Sequence, residues 1–346
     1  MPLMMFVVGL SLFLTLGLRP QAASHAQTQD YCYHQQQDVG IPLNDLGNNV
    51  YIRMNGQNTG FTGGLYPGGS NVRPPAHEAA GVAIANQILP LDASGAPDLN
   101  DGKIVMIGIG MSNAYMELGA FLSLVGSDPT LNSALTVVNG AQPGLTSEYW
   151  IDPLAGAWTN VNQRLAAKNV TPQQVQVAWV KNTRKGSSAF PGNAQLLQSD
   201  LEAIARNLKT NYPNIKIAYF SSRTHSYIYW SGLSPEPDAF ETGFSVKWLI
   251  ESQINGDPEL NYDPARGPVV APYLSWGPYL WANGPEPRSD GLSWPQTDLI
   301  TDCTHPSPDG EQKVAQQLMS FFKQDTTTGW FRRGLAAPIF LPLITR

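Results

Sequence analysis

From residue 103 onward, short apolar runs alternate with longer stretches in which apolar residues recur every three or four positions. "KIVMIGIG" (103–110) is rich in β-formers, closes on glycine and reads as a strand. The following "NAYMELGAFLSLVG" carries Met116, Ala120 and Leu124 at i, i+4 spacing and reads as a helix. The cycle repeats. "ALTVVNG" (134–140) precedes a helical stretch near "AWTNVNQRLAA", and "VQVAWV" (175–180) precedes a helix with Leu197, Leu201, Ile204 and Leu208 on one face. "IKIAYFSS" (215–222) precedes a helix over 240–254. A last helix begins after Ser307 or Asp309, either of which can cap it, and turns Val314, Leu318, Phe321 and Phe322 inward.

Strands alternating with helices predict parallel β-α-β units, hence an α/β fold with a mainly parallel sheet covered on both faces, a three-layer α/β/α sandwich. Active sites of such sheets gather at the carboxyl ends of the strands. That rule selects Ser112, Gly144, Asn182 and the loop holding Asp302 and His305, all just after a predicted strand or just before a helix. No linker separates residues 27–102, with their turn-rich "GGLYPGGSNVRPPAHE", from the alternating region. They are expected to extend the same domain, which then runs over 27–325 and leaves an apolar tail at 326–346.

Composition adds three constraints. At 346 residues and 42% hydrophobic content the chain can bury a substantial core. Residues 1–26 differ from the rest: an apolar run from Met5 to Leu18 leads through Arg19 and Pro20 to "QAASHA", a signal peptide expected to be cleaved near Ala26. The run is shorter than the ~20 apolar residues that span a bilayer, so the mature chain is expected to be secreted or periplasmic with no stable membrane span. Acidic residues outnumber basic ones, 27 against 21, and the leader removes one Arg and no acid. An acidic balance disfavours a nucleic-acid partner, whose usual footprint is a basic patch. The two cysteines, Cys32 and Cys303, are expected to form one disulfide in an exported chain, which makes the thiol inside "TDCTHPSPDG" (301–310) unreactive.

The candidate chemistry lies in the turns. Ser112 stands where the first strand turns into its helix, in "GIGMSNAY". A serine hydroxyl becomes a nucleophile only when an imidazole, itself oriented by a carboxylate, takes its proton. Asp302 and His305 are spaced i, i+3, so one tight turn aims both at one pocket. No two histidines show zinc-ligand spacing, and neither a metal nor a cofactor is expected. The α/β-hydrolase elbow G-x-S-x-G is missing, because Ala114 fills its last position.

Taken together, "GMSN", "VNGAQPGLT", "VKNT" and "DCTHPSPDG", over about residues 103–323, resemble the four blocks of the SGNH hydrolase superfamily, or GDSL esterases. The resemblance implies a flavodoxin-like three-layer fold and a serine hydrolase acting on carboxylic esters. It implies Ser112 as nucleophile, Asp302 and His305 as orienter and base, and an oxyanion hole from the Ser112 and Gly144 amides with the Asn182 side chain. Gly140 competes with Gly144; the polar turn after Gly144 favours the latter. Two departures stand out: Gly110-Met111-Ser112 replaces Gly-Asp-Ser, and Lys181-Asn182-Thr183 replaces Gly-x-Asn-Asp. The loop "VAPYLSWGPYLWANGPEPRSDGLSWPQ" (270–296) leads to the Asp/His turn, and its Trp276, Trp281 and Trp294 are expected to stack on sugar rings. The expected function is a secreted esterase that removes short acyl groups, acetyl first, from a small-molecule or polysaccharide ester. A lipase or phospholipase of the same superfamily and a non-catalytic glycan-binding protein are the alternatives.

Overall fold

The computed structural model describes residues 36–185, 189–229 and 232–332. In chain order the elements are α1 (Leu43–Leu46), β1 (Val50–Ile52), β2 (Asn58–Thr62), α2 (Pro75–Ala85), β3 (Ile104–Gly110), α3 (Ser112–Ser127), β4 (Leu135–Asn139), α4 (Gly156–Ala167), β5 (Val175–Lys181), α5 (Gly192–Asn211), β6 (Ile217–Phe220), α6 (Asp238–Ile254), β7 (Tyr273–Trp276) and α7 (Pro308–Gln324). β3 to β7 form a five-stranded sheet in the order β4-β3-β5-β6-β7, every pair parallel.

Because successive residues of a strand point to opposite faces, each strand feeds two cores. Val105, Ile107 and Ile109 of β3 join Ala178 and Val180 of β5 in one core, with Trp158 of α4, Leu197, Leu201, Ile204 and Leu208 of α5, and Phe240 and Phe244 of α6. Ile104 and Met106 join Val177 and Trp179 in the other, with Leu118 and Phe121 of α3 and Val314, Leu318 and Phe322 of α7. The result is a three-layer α/β/α sandwich. The strand order places the reversal of winding beside β3, with β4 on one flank and β5 on the other, and ligands of doubly wound sheets bind at such a point.

Four expectations shift. The stripe of Met116, Ala120 and Leu124 on α3 is only half buried; the inward face carries Ala114, Glu117, Leu118 and Phe121. On α7 the same holds for Phe321, while Val314, Leu318 and Phe322 are fully buried and Ser307, not Asp309, caps the helix. The stretch 270–296 is not wholly a loop, since Tyr273–Trp276 forms the fifth strand. Nor does the fold stop at 325: the short helical segment Thr326–Phe331 inserts Trp330 and Phe331 against Phe322. A terminal aromatic pair covers apolar area that α7 alone would leave wet.

The N-terminal extension contributes α1, the β1/β2 hairpin and α2. Leu43 and Tyr51 enter the core containing α6, and the Tyr51 hydroxyl and the Arg53 guanidinium both donate to Glu241 of that helix. The expected signal segment 1–26, Cys32 and residues 333–346 of the tail lie outside the described residues. Among those described, no helix is long and apolar enough to cross a membrane.

Candidate active site

Ser112 opens α3 directly after the buried strand β3. The turn is tight because nothing larger than glycine fits before it: a Cβ on Gly110 would overlap the Lys181 carbonyl oxygen and stand 2.6 Å from the Ala114 Cβ. As first residue of the helix, Ser112 has an amide N–H with no intrahelical acceptor. Its Oγ lies 2.6 Å from His305 Nε2, and His305 Nδ1 lies 2.5 Å from Asp302 Oδ2. The i, i+3 turn is held from within: Asp302 Oδ1 accepts from the backbone N–H groups of Thr304 (3.1 Å) and His305 (2.9 Å). Partial burial raises the Asp302 carboxyl, but these two amides and the His305 ring outweigh it and hold the group below its ordinary range, so it stays ionised. An ionised acceptor on Nδ1 fixes the proton there and leaves Nε2 free to accept from Ser112.

The two loops of this dyad are joined by residues that motif reading passed over. Asn113 Nδ2 donates to the Thr304 carbonyl at 2.8 Å, tying the Ser112 turn to the His305 turn. The Tyr227 amide donates to the Cys303 carbonyl, and Cys303 itself is buried at φ +62°.

Gly144 and Asn182 meet at one corner. The Gln142 amide donates to the Gly110 carbonyl at 2.9 Å, which anchors the loop after β4 to the residue two before Ser112. Gly144, at φ +80°, is exposed two residues further on, and its amide has no partner among the described residues. Gly140 is buried, and a Cβ there would be 2.7 Å from the Gly108 carbonyl, so it serves packing beneath the sheet end. Asn182 is 3% exposed; its Oδ1 accepts from the Thr183 amide at 2.8 Å, which turns Nδ2 toward Leu145, whose carbonyl is 3.5 Å away. The backbone amide of Gly144 and the side-chain amide of Asn182 are thus carried by the loops after β4 and β5, the two strands that flank β3.

The departure at Lys181 has a structural cause. Its ammonium pairs with the Glu117 carboxylate, and both side chains are essentially inaccessible. Burial raises the Glu117 carboxyl against the pull of Lys181, and brings Lys181 down to about 8 against the support of Glu117. The pair bridges the end of β5, one residue before Asn182, to the second turn of α3, five residues after Ser112. The signal in the sequence was Glu117 as the single charged residue of α3. Arg223, also buried and following β6, feels the charges of Glu117 and Glu236.

The three tryptophans do not serve as expected. Trp276, Trp281 and Trp294 are 3%, 0% and 0% exposed. Their indole N–H groups donate to the Leu65 carbonyl, the Glu236 carboxylate and the Leu280 carbonyl. A ring enclosed on all sides and bonded at its only polar atom has no face for a sugar, so these residues are framework and not a binding platform.

No family model matches the chain, and no curated protein does. Among solved structures it is similar, at 14% identity and a TM-score of 0.37, to a family two carbohydrate esterase from Clostridium thermocellum in complex with cellohexaose, with 65% of each chain covered. It is similar at 13% identity and a TM-score of 0.35 to a carbohydrate esterase family 3 from Talaromyces cellulolyticus, over 62% of this chain and 94% of that one. At 13% identity and a TM-score of 0.35 it is also similar to the periplasmic domain of a lipopolysaccharide acetyltransferase of Salmonella ser. Paratyphi A, over 72% of this chain and 96% of that one. Likeness of this degree carries no argument about chemistry, which rests on the residues of the chain itself. Those residues place serine, histidine and aspartate in one hydrogen-bonded row at the carboxyl end of a parallel sheet, with Gly144 and Asn182 on the adjoining loops.

Proposed function

We propose that this chain is a serine esterase that removes short acyl groups, acetyl first, from carbohydrate. The observation that carries the reading is the unbroken row Ser112 Oγ, His305 Nε2, His305 Nδ1, Asp302 Oδ2, with bonds of 2.6 and 2.5 Å. His305 takes the Ser112 proton as Oγ attacks the ester carbonyl, and Asp302 stabilises the imidazolium. The Ser112 and Gly144 amides and Asn182 Nδ2 receive the negative charge that develops on the carbonyl oxygen. His305 then gives its proton to the departing sugar hydroxyl, and water repeats the sequence on the acyl-enzyme.

Two features support the substrate class. The His305 and Asp302 side chains are 33% and 45% exposed, so the dyad sits at the surface where a bulky alcohol reaches it. The ground beneath Ser112 and Asn182 is taken by the buried Glu117–Lys181 pair, and an alkyl chain entering there would strip a buried charge of its partner. Turnover of p-nitrophenyl esters from acetate to palmitate, together with acetate release from an acetylated polysaccharide, tests the reading. Acetate is expected to be fastest and acetate release measurable; preference for palmitate with no acetate release makes the protein a lipase instead. Export and a Cys32–Cys303 disulfide belong to the same proposal, and non-reducing peptide mapping is expected to find the two cysteine peptides linked; two alkylatable thiols would refute the pairing.

A further inference from the structure

The solvent face of the nucleophile helix carries a groove of about 570 Å³ that the catalytic row does not use. Tyr115, Met116, Gly119 and Leu122 of α3 form its floor, and Asn139, Arg164 and Glu311 form its walls. Ser112 and these four floor residues succeed one another at i, i+3, i+4, i+7 and i+10, so they make a single stripe running down the helix from the nucleophile. At 1.5 Å of rise per residue, Gly119 lies roughly 10 Å along that stripe from Ser112. The wall formed by Glu311 belongs to the first turn of α7, six residues beyond His305.

The aromatic in this groove is held in place and open, unlike the tryptophans. Tyr115 is 43% exposed. The Arg164 guanidinium lies 5.7 Å from the centre of its ring, on one face. Arg164 is fixed in turn, because Nη1 donates to the Asn139 and Ala141 carbonyls at 2.7 Å each, while Asn139 Nδ2 donates to the Tyr115 carbonyl at 2.8 Å. Arg164 Nε and Nη2 and the Glu311 carboxylate make no hydrogen bond among the described residues and border the groove. A flat ring flanked by a fixed cation and a free carboxylate suits a ligand with a weakly polar ring face and hydroxyls at its rim. An acyl chain gains nothing from the two charges.

We propose that this groove is the subsite for sugar rings of the ester's alcohol, with Tyr115 as the stacking platform and Arg164 and Glu311 as hydroxyl partners. The assignment rests on the esterase reading, and it supplies the aromatic platform that the buried tryptophans do not. It also orients the substrate: the glycan runs along α3 with its acylated hydroxyl at Ser112.

Gly119 makes the groove testable, because a Cβ there meets nothing within 4 Å and the backbone is ordinary helix. The Gly119→Trp side chain is therefore expected to project into the groove without displacing the fold, with circular dichroism and Tm as the check. The quantity read is kcat/KM on an acetylated xylo-oligosaccharide divided by kcat/KM on p-nitrophenyl acetate. Gly119→Trp and Tyr115→Ala are expected to lower this ratio at least tenfold, and Tyr115→Phe less than threefold. An unchanged ratio overturns the proposal, as does a selective loss of long-chain aryl esters, which would make the groove an acyl tract. A second arm separates this from the esterase reading: xylohexaose binding to Ser112→Ala protein, by calorimetry, is expected to weaken at least tenfold when Gly119→Trp is added. Lack of ester hydrolysis by the parent chain contradicts the catalytic reading, while equal xylohexaose affinity with and without Gly119→Trp contradicts the groove.

Discussion

Asn182 holds its Nδ2 toward the Leu145 carbonyl at 3.5 Å, a long and weak bond, and the proposed mechanism gives this group to the oxyanion. Removing one oxyanion donor costs on the order of 10²–10³ in turnover. Asn182→Ala is therefore expected to lower kcat by about that factor with little change in KM; steady-state kinetics on p-nitrophenyl acetate that match the parent enzyme would remove Asn182 from the site. At this scale the sequence was informative where geometry is local. Asp302 and His305 share one turn, and their i, i+3 spacing alone brings carboxylate and imidazole together. Ser112 was legible through its place after a buried strand. The tryptophans misled because exposure is not a local property: Trp276 belongs to a strand, and the indoles of Trp281 and Trp294 find acceptors up to 45 positions away in the chain. Tyr115, three residues from Ser112, carried no motif, and only the packing of α4 beside it marks it out.

Elements meet through pairs that periodicity cannot anticipate. The inward face of α3 includes the acid Glu117, whereas the stripe read from the sequence, Met116, Ala120 and Leu124, is only half buried. The reason is the partner: Lys181 at the end of β5 satisfies the carboxylate, and this long-range pairing permits a charge inside. Breaking such a pair from one side typically costs about 3–5 kcal/mol, because the remaining charge stays buried without a partner. Glu117→Gln is expected to lose stability of that order in urea unfolding, and Glu117→Leu with Lys181→Met to recover most of it. A Glu117→Gln variant as stable as the parent would show that Lys181 finds another partner or loses its proton at no cost. The helices themselves, and the β-α alternation that orders the sheet, were legible because four of the five strands are apolar runs set between amphipathic stretches. The fifth, Tyr273–Trp276, is four residues long among glycines and prolines, and is defined by its pairing with β6.

Across the whole molecule, the N-terminal extension is joined to the far edge of the sheet by His77 of α2. Its Nε2–H donates to the Leu274 carbonyl at 2.9 Å, its ring stacks on Tyr273 at 4.3 Å, and the Tyr273 hydroxyl donates back to the His77 carbonyl. Burial lowers this imidazole from 6.5 to about 4. Folding therefore favours the neutral ring: as pH falls below 6.5 the unfolded chain takes up a proton that the folded chain refuses until about 4. Stability is expected to fall across that window by up to about 3 kcal/mol, and His77→Gln to flatten the decline. Urea unfolding at pH 7 and pH 5 with equal midpoints for the parent protein would refute it. These contacts join an extension that the sequence placed on the domain only by its lack of a linker, since the pairing partners lie some 200 residues apart. The account as a whole turns on Ser112 being the residue that carries the acyl group. The most direct measurement is peptide mapping by mass spectrometry after a fluorophosphonate, which modifies only an activated serine, has abolished ester hydrolysis. One adduct on the peptide containing Ser112, absent from Ser112→Ala, is the predicted result; full inhibition with Ser112 unmodified, or with the adduct on another residue, would contradict it.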